Sequence, residues 1–194
     1  MWTSLPILKQ YEKYLKQIRT DIMNTPQEDF WTSQFGKDYS DRNAYSDPSA
    51  LDAFYGATYG VSRSSMNASF LEALPLGSIL EVGCNIGNQL NLLQSQGYGS
   101  LYGIEIQEYA AEKARKLTQH INIIQGSGFD IPFKDHFFDL VFTSGVLIHV
   151  SPDDIRAFMS GIYRVSKRYI WGFEYFSPDY KAIEYRGNQD RLWK

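Results

Sequence analysis

Two short segments of the sequence carry residues suited to holding a nucleoside. The turn Glu81-Val82-Gly83-Cys84-Asn85-Ile86-Gly87 follows a short apolar run, and its two glycines let the chain turn sharply and let a ligand approach the backbone closely. Glu105 follows Gly83 by about 20 residues, the separation at which a carboxylate at the end of the next strand accepts hydrogen bonds from both ribose hydroxyls. Together they predict a nucleoside site at one edge of a sheet.

The spacing within the turn bears on which nucleotide it holds. A dinucleotide-binding turn has the pattern G-x-G-x-x-G, whereas this turn reads G-x-N-x-G with Asn85 in the middle. A phosphate-binding loop needs Gly-Lys followed by Ser or Thr, and the turn has no lysine. The pattern therefore argues against a dinucleotide-binding turn and against a phosphate-binding loop. A dinucleotide-dependent oxidoreductase and a tight turn without any ligand stay open as alternatives.

The elements around these segments predict the fold. Apolar runs indicate strands at 78–82, 101–106, 121–124, 139–143 and 168–174, alternating with helices at 87–96, 107–119 and 152–165. Such alternation implies right-handed βαβ units and a parallel sheet. We therefore predict an α/β protein with a Rossmann-like, doubly wound, mainly parallel sheet. Its ligand site is expected beyond the carboxyl ends of the strands.

The first 76 residues have a different character. Residues 5–23 have apolar positions at helical spacing and end at Asn24-Thr25-Pro26. Residues 27–60 are rich in aromatic residues without a sustained period, which predicts loops with one or two short helices. Residues 61–76 indicate a further helix. We predict that residues 1–76 form a helical, aromatic cap that does not fold alone, on a core of residues 77–194.

Composition and charge exclude several classes of protein. Hydrophobic residues make up 43% and charged residues 21%, a balance typical of a folded soluble domain, and no apolar run approaches the ~18 residues of a membrane-spanning helix. The net charge of −3 argues against a nucleic-acid-binding face. The single cysteine and the scattered histidines predict neither a disulfide nor a metal site. We expect a cytoplasmic protein that acts on a small molecule, without a nucleic-acid or membrane partner. The sequence carries no indication of the oligomeric state.

The turn and two later segments resemble the class I S-adenosylmethionine-dependent methyltransferases. These segments are Ile131-Pro132-Phe133 and Phe138-Asp139-Leu140-Val141. The resemblance implies S-adenosyl-L-methionine as cofactor and S-adenosyl-L-homocysteine as product. It also implies an adenine contact after the third strand, where Ser127 stands in place of the usual acid and Asp130 is the alternative. The implied cofactor contacts are Glu81, Gly83, Cys84, Asn85, Gly87, Glu105, Ile106, Ser127, Gly128, Phe129, Ser144, Trp31, Tyr39 and Arg63.

Two further blocks are similar to a methylase family associated with pseudaminic acid biosynthesis in bacteria. They are Phe30-Trp31-x-x-x-Phe35-Gly36-x-x-Tyr39-x-x-Arg42-Asn43 and Glu184-Tyr185-Arg186-Gly187. This resemblance implies a small polar acceptor, a sugar or a nucleotide sugar. Aromatic residues of the first block could close over the methionine end of the cofactor, and Arg42 or Arg63 could pair with its carboxylate. The implied acceptor contacts are Arg42, Asn43, Tyr185 and Arg186.

Two residues are candidates for the general base that takes the acceptor proton. His149 lies in the loop after the fourth strand, where histidine is the residue type best suited to proton transfer near neutral pH, and Glu174 ends the fifth strand. A packed core histidine and a surface carboxylate are the alternative interpretations. A catalytically silent cofactor-binding module that partners another protein is the second functional hypothesis. Because few residues follow Glu174, we expect one more helix or strand there and not a complete C-terminal hairpin.

Overall fold

The computed structural model describes residues 25–179, 181–185 and 187–193, so the helix predicted at 5–23 lies outside the described residues. Four helices precede the first strand in the described part of the chain. They are α1 (Pro26–Thr32), α2 (Gln34–Arg42), α3 (Pro48–Tyr59) and α4 (Arg63–Leu71). The division of the chain at residue 77 stays a prediction.

Strands and helices then alternate as the sequence predicts. The strands of the main sheet are β1 (Ile79–Val82), β2 (Leu101–Glu105), β3 (Asn122–Gln125), β4 (Phe138–Ser144) and β5 (Ser166–Phe173). The helices between them are α5 (Asn88–Ser95), α6 (Glu108–Leu117) and α7 (Ile155–Val165), with a short 3-10 helix at Leu147–His149. The sheet has the order β3-β2-β1-β4-β5, and all its strand pairs are parallel. This architecture confirms the predicted α/β, doubly wound fold.

The sheet separates two layers of apolar side chains. On one face, Ile79 of β1 packs with Leu90 and Leu93 of α5 and with Ala111 of α6. On the other, Leu80 packs in one cluster with side chains of α7. Successive residues of a strand point to opposite faces, so β1 is buried on both. Each Å² of apolar surface buried against the sheet contributes about 25 cal/mol to the stability of the fold. Burial on both faces therefore keeps the carboxyl ends of the strands in fixed positions.

The cap is more helical than expected, since residues 27–60 were predicted mainly as loops. Each helix begins at a polar residue whose side chain accepts a backbone N–H: Thr25 for α1, Ser33 for α2 and Asp47 for α3. Thr25 caps α1 and Pro26 starts it, while the helix predicted to end at Asn24-Thr25-Pro26 lies outside the described residues. Local capping therefore orders a segment that has no long apolar period.

The C-terminal segment forms two strands and not one. β6 (Lys181–Tyr185) and β7 (Asn188–Trp193) pair antiparallel in a sheet of their own. The prediction of an incomplete hairpin is therefore wrong, because both strands find their hydrogen-bonding partner in each other. β7 lies beside the 3-10 helix, close to the loop that follows β4. Among the helices of the described residues, none has the length and apolar character needed to cross a membrane.

Candidate functional site

Two adjoining cavities open at the carboxyl ends of β1, β2 and β4. The first, which we call the slot, has a volume of about 160 Å³ and lies between apolar side chains that include Ile104, Phe129 and Phe158. The second, the aromatic cavity, has about 540 Å³ and is lined by tyrosines and phenylalanines of α2, α3 and β5. The residues common to both linings are Tyr39, Gly83, Asn85, Ser144, Gly145 and His149. A ligand that occupies both cavities passes these residues.

The glycine-rich turn after β1 forms the floor of both cavities. Gly83 has φ +78°, and a Cβ there would lie 2.6 Å from Cγ2 of Val146, so only glycine fits. Asn85 also has a left-handed backbone, with φ +48°. Asparagine tolerates this conformation, which explains how it stands where related turns carry a third glycine.

Glu105, at the end of β2, is bound to this turn. Its carboxylate accepts the backbone N–H of Asn85 at 2.8 Å and that of Gln107 at 2.9 Å. The side chain is only 9% exposed and lines the slot. Burial raises the pKa of Glu105, while the backbone N–H groups act in the opposite direction. The predicted ribose contact therefore lies in the slot, with lone pairs left for further donors.

The polar end of the slot is formed by two residues from distant parts of the chain. The Ser127 hydroxyl, in the loop after β3, donates a short hydrogen bond to the carboxylate of Glu28 in α1. Ser127 also accepts the backbone N–H of Phe129 at 3.0 Å. Glu28 is 7% exposed and lines the slot. A carboxylate of the cap therefore lies beside Ser127, whereas Asp130 is exposed and not part of the lining.

Three buried oxygen atoms beside the turn have no hydrogen-bond partner among the described residues. They are Oε2 of Glu81, Oδ1 of Asn85 and Oε1 of Gln89, and all three residues line the aromatic cavity. Buried acceptors without partners are costly, so they indicate a ligand that donates hydrogen bonds. Burial raises the pKa of Glu81 well above its usual range, and the nearby Arg63 opposes this rise.

Arg63 differs from its predicted position, because it lies behind the cavity wall and not at its surface. It is fully buried, and its guanidinium carbon lies 4.7 Å from the ring centroid of Phe173 and 4.9 Å from that of Trp171. Its Nε donates to Asn67 at 3.1 Å, and one terminal nitrogen donates to the hydroxyl of Ser144 at 3.4 Å. Burial lowers the pKa of Arg63. The geometry supports a role for Arg63 in positioning Ser144, to which it donates a hydrogen bond, and Glu81, with which it interacts electrostatically.

Trp31 and His149 meet where the two cavities join. Their ring centroids are 4.5 Å apart with an interplanar angle of 71°, and Trp31 makes a second edge contact with Tyr39 at 5.0 Å. Nε1 of Trp31 is buried and has no hydrogen-bond partner among the described residues. The side chain of Gln107 donates to the backbone carbonyls of Trp31 and Ser33, at 3.0 Å each. These two hydrogen bonds attach the junction between α1 and α2 to the core.

Glu174 lines the aromatic cavity, but its carboxylate holds the loop after β4. It accepts the backbone N–H of Val146 at 3.2 Å and that of Leu147 at 3.0 Å. Burial raises the pKa of Glu174, and these bonds oppose the rise. The geometry supports Glu174 in positioning the 3-10 helix that carries His149. Its role as a base stays a prediction.

The remaining predicted residues divide into three groups. Asn43, Cys84 and Ser144 contribute to the aromatic cavity, and Ile106, Gly128 and Ser144 to the slot. Arg42 and Gly87 line neither cavity: the guanidinium of Arg42 lies over the ring of Phe35, and Gly87 is the N-cap residue that precedes α5. The Tyr185 side chain and Arg186 lie outside the described part of the chain. No cluster of potential metal ligands occurs in the parts of the chain that the structure describes.

Sequence reasoning missed several residues of the site. Glu28 has a detectable signal, since Thr25-Pro26-Gln27-Glu28 is a capping-box pattern that places a buried glutamate at the third helical position. Gln107, Gln89 and Tyr55 carry none, because their roles depend on contacts between the cap and the core. Gln89 donates to the Tyr55 hydroxyl at 3.1 Å, 34 residues away.

Comparison with known proteins agrees with this geometry. Residues 80–169 match the model of a family described as a methyltransferase domain. An uncharacterised methyltransferase of Synechocystis is 29% identical over 93 residues, which cover 48% of this chain and 43% of the relative. 24-Methylenesterol C-methyltransferase 2 of Arabidopsis thaliana is 27% identical over 108 residues, which cover 53% of this chain and 29% of that enzyme. The chain spans less than half the length of these two curated relatives.

Solved structures share the fold. A protein of Pyrococcus horikoshii superimposes with a TM-score of 0.51 and 21% identity over 56% of this chain and 53% of its own. A protein of Methanococcus maripaludis, assigned to the S-adenosyl-L-methionine-dependent methyltransferases, has a TM-score of 0.50 and 21% identity over 67% of this chain and 65% of its own. The fold is therefore that of the class I methyltransferases. Residues 80–169 are similar to a methyltransferase domain.

Proposed function

We propose that this protein transfers the methyl group of S-adenosyl-L-methionine to a small polar acceptor and releases S-adenosyl-L-homocysteine. The observation that carries the proposal is the pair of cavities joined at Gly83, Ser144 and His149. When bound, the cofactor supplies an electrophilic methyl group on a sulfonium. The chain binds, orients and shields the two reactants, which is how positioning lowers the barrier of a bimolecular step.

The residues of the slot suit the nucleoside part of this cofactor. Glu105 lies at the end of β2, where a carboxylate can accept both ribose hydroxyls. Ser127, Gly128 and Phe129 line the same slot further toward β3 and suit the base, with Ile106 on its wall.

The residues on the β1 side suit the amino-acid part. An ammonium group offers three donors, and Glu81, Asn85 and Gln89 each present a buried acceptor without a partner. Methyl transfer at the junction would then occur beside Trp31, Tyr39 and His149. Aromatic faces stabilise the positive charge of a sulfonium and exclude water.

We propose His149 as the group that takes the acceptor proton, because it lines both cavities where they join. We propose Glu174 as a positioning residue for the 3-10 helix that carries it.

The proposed acceptor is a sugar or nucleotide sugar, as the resemblance to the pseudaminic acid-associated methylases implies. Aromatic rings suit the C–H faces of a sugar, and the aromatic cavity also has polar groups in Asn43, Tyr59 and Glu174. β7 lies beside the 3-10 helix that carries His149, which supports acceptor contacts from this end of the chain. A relative named as a sterol methyltransferase makes a sterol the competing acceptor class.

A catalytically silent cofactor-binding module is the second candidate. One observation favours it: both oxygens of Glu174 already accept backbone N–H groups. One of the two predicted general bases is therefore occupied in holding the loop after β4. Binding of the cofactor product without turnover on any acceptor would support it.

Calorimetric titration with S-adenosyl-L-homocysteine tests the proposal. We expect micromolar affinity in the wild type and a loss of about 1–3 kcal/mol in Glu105→Gln, because a carboxylate acceptor of the ribose is removed. Glu112→Gln, an exposed residue of α6, is the matched control and should bind like the wild type. Absence of binding at millimolar ligand would contradict the proposal. Methyl transfer from labelled cofactor to sugars, nucleotide sugars and sterols then identifies the acceptor.

A further inference from the structure

The cap contributes a buried carboxylate to the slot. Glu28 is 7% exposed, lines the slot and belongs to α1, while the other polar groups of the slot come mainly from the sheet edge. A carboxylate that is nearly removed from water needs hydrogen-bond donors around it. Among residues 25–179, its donors are the backbone N–H of Thr25, at 2.8 Å from Oε2, and the hydroxyl of Ser127 on Oε1.

These two donors do not saturate the group. An ionised carboxylate has about four acceptor positions on its two oxygens. Two are used by Thr25 and Ser127, and Glu28 still lines the slot. A ligand in the slot that offers N–H donors would therefore meet acceptor positions there.

The sheet order fixes which part of the ligand reaches Glu28. Glu105 ends β2 and marks the ribose, the unpartnered acceptors of Glu81 and Asn85 lie on the β1 side, and Ser127 follows β3 on the other side. The amino-acid part of the ligand and its base must leave the ribose in opposite directions. The base then lies between Ile104 and Phe129, with its edge toward Ser127 and Glu28.

We infer that Glu28 is a specificity-determining residue that accepts a hydrogen bond from the exocyclic amino group of the cofactor's purine, an inference that rests on the proposed function. A purine with a carbonyl oxygen at that position would place two acceptors against each other. Glu28 therefore selects adenine over hypoxanthine, and a residue of the cap supplies the carboxylate beside Ser127 at the base end of the slot.

The test compares two ligands that differ only at this position, S-adenosylhomocysteine and S-inosylhomocysteine, by calorimetry on the full chain. The wild type should prefer the adenosyl ligand by about tenfold or more, the effect of one hydrogen bond to a charged group. Glu28→Gln should weaken the adenosyl ligand by about tenfold and shrink or invert the preference, because its carboxamide can donate to the carbonyl of hypoxanthine. Glu108→Gln, an exposed acid of α6, is the matched control and should keep the wild-type preference.

The design separates recognition from a structural role of Glu28. Glutamine is also accepted at the third position of a capping box, so Glu28→Gln keeps the backbone contact of Thr25. Thr25→Ala weakens the cap of α1 without touching the carboxylate, and it should reduce affinity for both ligands by the same factor. An unchanged preference in Glu28→Gln, or no preference in a wild type that binds, would overturn the inference alone. A wild type that binds neither ligand would overturn the proposed function with it.

Discussion

The ring of Trp31 stands edge-on to the imidazole of His149, with centroids 4.5 Å apart, and so joins the cap to the loop after β4. The backbone of Trp31 is held by the side chain of Gln107 at the start of α6. One side chain of the cap thus packs on the candidate base, and its backbone is fixed to the core. Changes at Trp31 should therefore affect both the stability of the cap and the environment of His149.

Trp31→Ala should lower the free energy of unfolding by about 1–3 kcal/mol, because a half-buried indole and its edge contacts with His149 and Tyr39 are lost. Urea unfolding followed by circular dichroism measures the effect. Trp31→Phe keeps an aromatic ring and should lose less. Equal losses in the two variants would contradict a contribution from the larger ring.

Glu81→Gln should change the pH dependence of stability. Since burial raises the pKa of Glu81 above its ordinary value of 4.5, the folded state binds more protons than the unfolded state above that pH. The free energy of unfolding of the wild type then falls as the pH rises from about 4.5 through the raised pKa, by at most about 1.4 kcal/mol per pH unit for this group. Urea unfolding between pH 5 and 8 should show a smaller slope in Glu81→Gln. Identical slopes would contradict this prediction.

Binding of the cofactor product should release a proton from Glu81. An ammonium group beside the carboxylate lowers its pKa, so affinity should increase with pH over the same range. Calorimetric titration in two buffers of different ionisation enthalpy measures the proton release. Glu81→Gln should abolish the buffer dependence, and a dependence that persists unchanged would assign the proton to another group.

Arg63→Met should lower the free energy of unfolding by about 3–5 kcal/mol, because Glu81 and Glu174 lose a buried cation. In the double variant with Glu81→Gln the loss should be smaller than the sum of the two single losses, since one of the stranded carboxylates is absent. Urea unfolding of the four proteins at pH 8 measures this coupling. Additive losses would mean that Arg63 acts only through its packing on Phe173 and Trp171.

Gly83→Ala should destabilise the protein by about 2–4 kcal/mol, from the left-handed backbone and from contact of the new methyl group with Val146. Val146→Ala in the same chain removes the contact but not the backbone strain, so it should restore part of the loss. Thermal unfolding of both variants, with Val146→Ala alone as reference, separates the two causes. A double variant as unstable as the sum of its parts would contradict the contact.

The strands of the main sheet were predictable from the sequence to within two residues at every end, because short apolar runs such as 78–82 are bounded by turn residues. The glycine-rich turn and Glu105 follow from the same local spacing. The cap was not predictable in this way, because capping contacts and not an apolar period order α1 and α2. Glu28 and Ser127 are 99 residues apart in the chain, and no local pattern indicates that they meet.

The single cysteine of the chain also has a use in measurement. Cys84 lies in the turn between β1 and α5, is 3% exposed, and has a pKa raised well above its usual range by burial. Its thiol is therefore unreactive while the turn is closed, and alkylation must wait for a local opening. The rate of labelling by an alkylating reagent thus reports how often this turn opens, without any engineered probe. A ligand held by the turn should slow that rate in proportion to its occupancy.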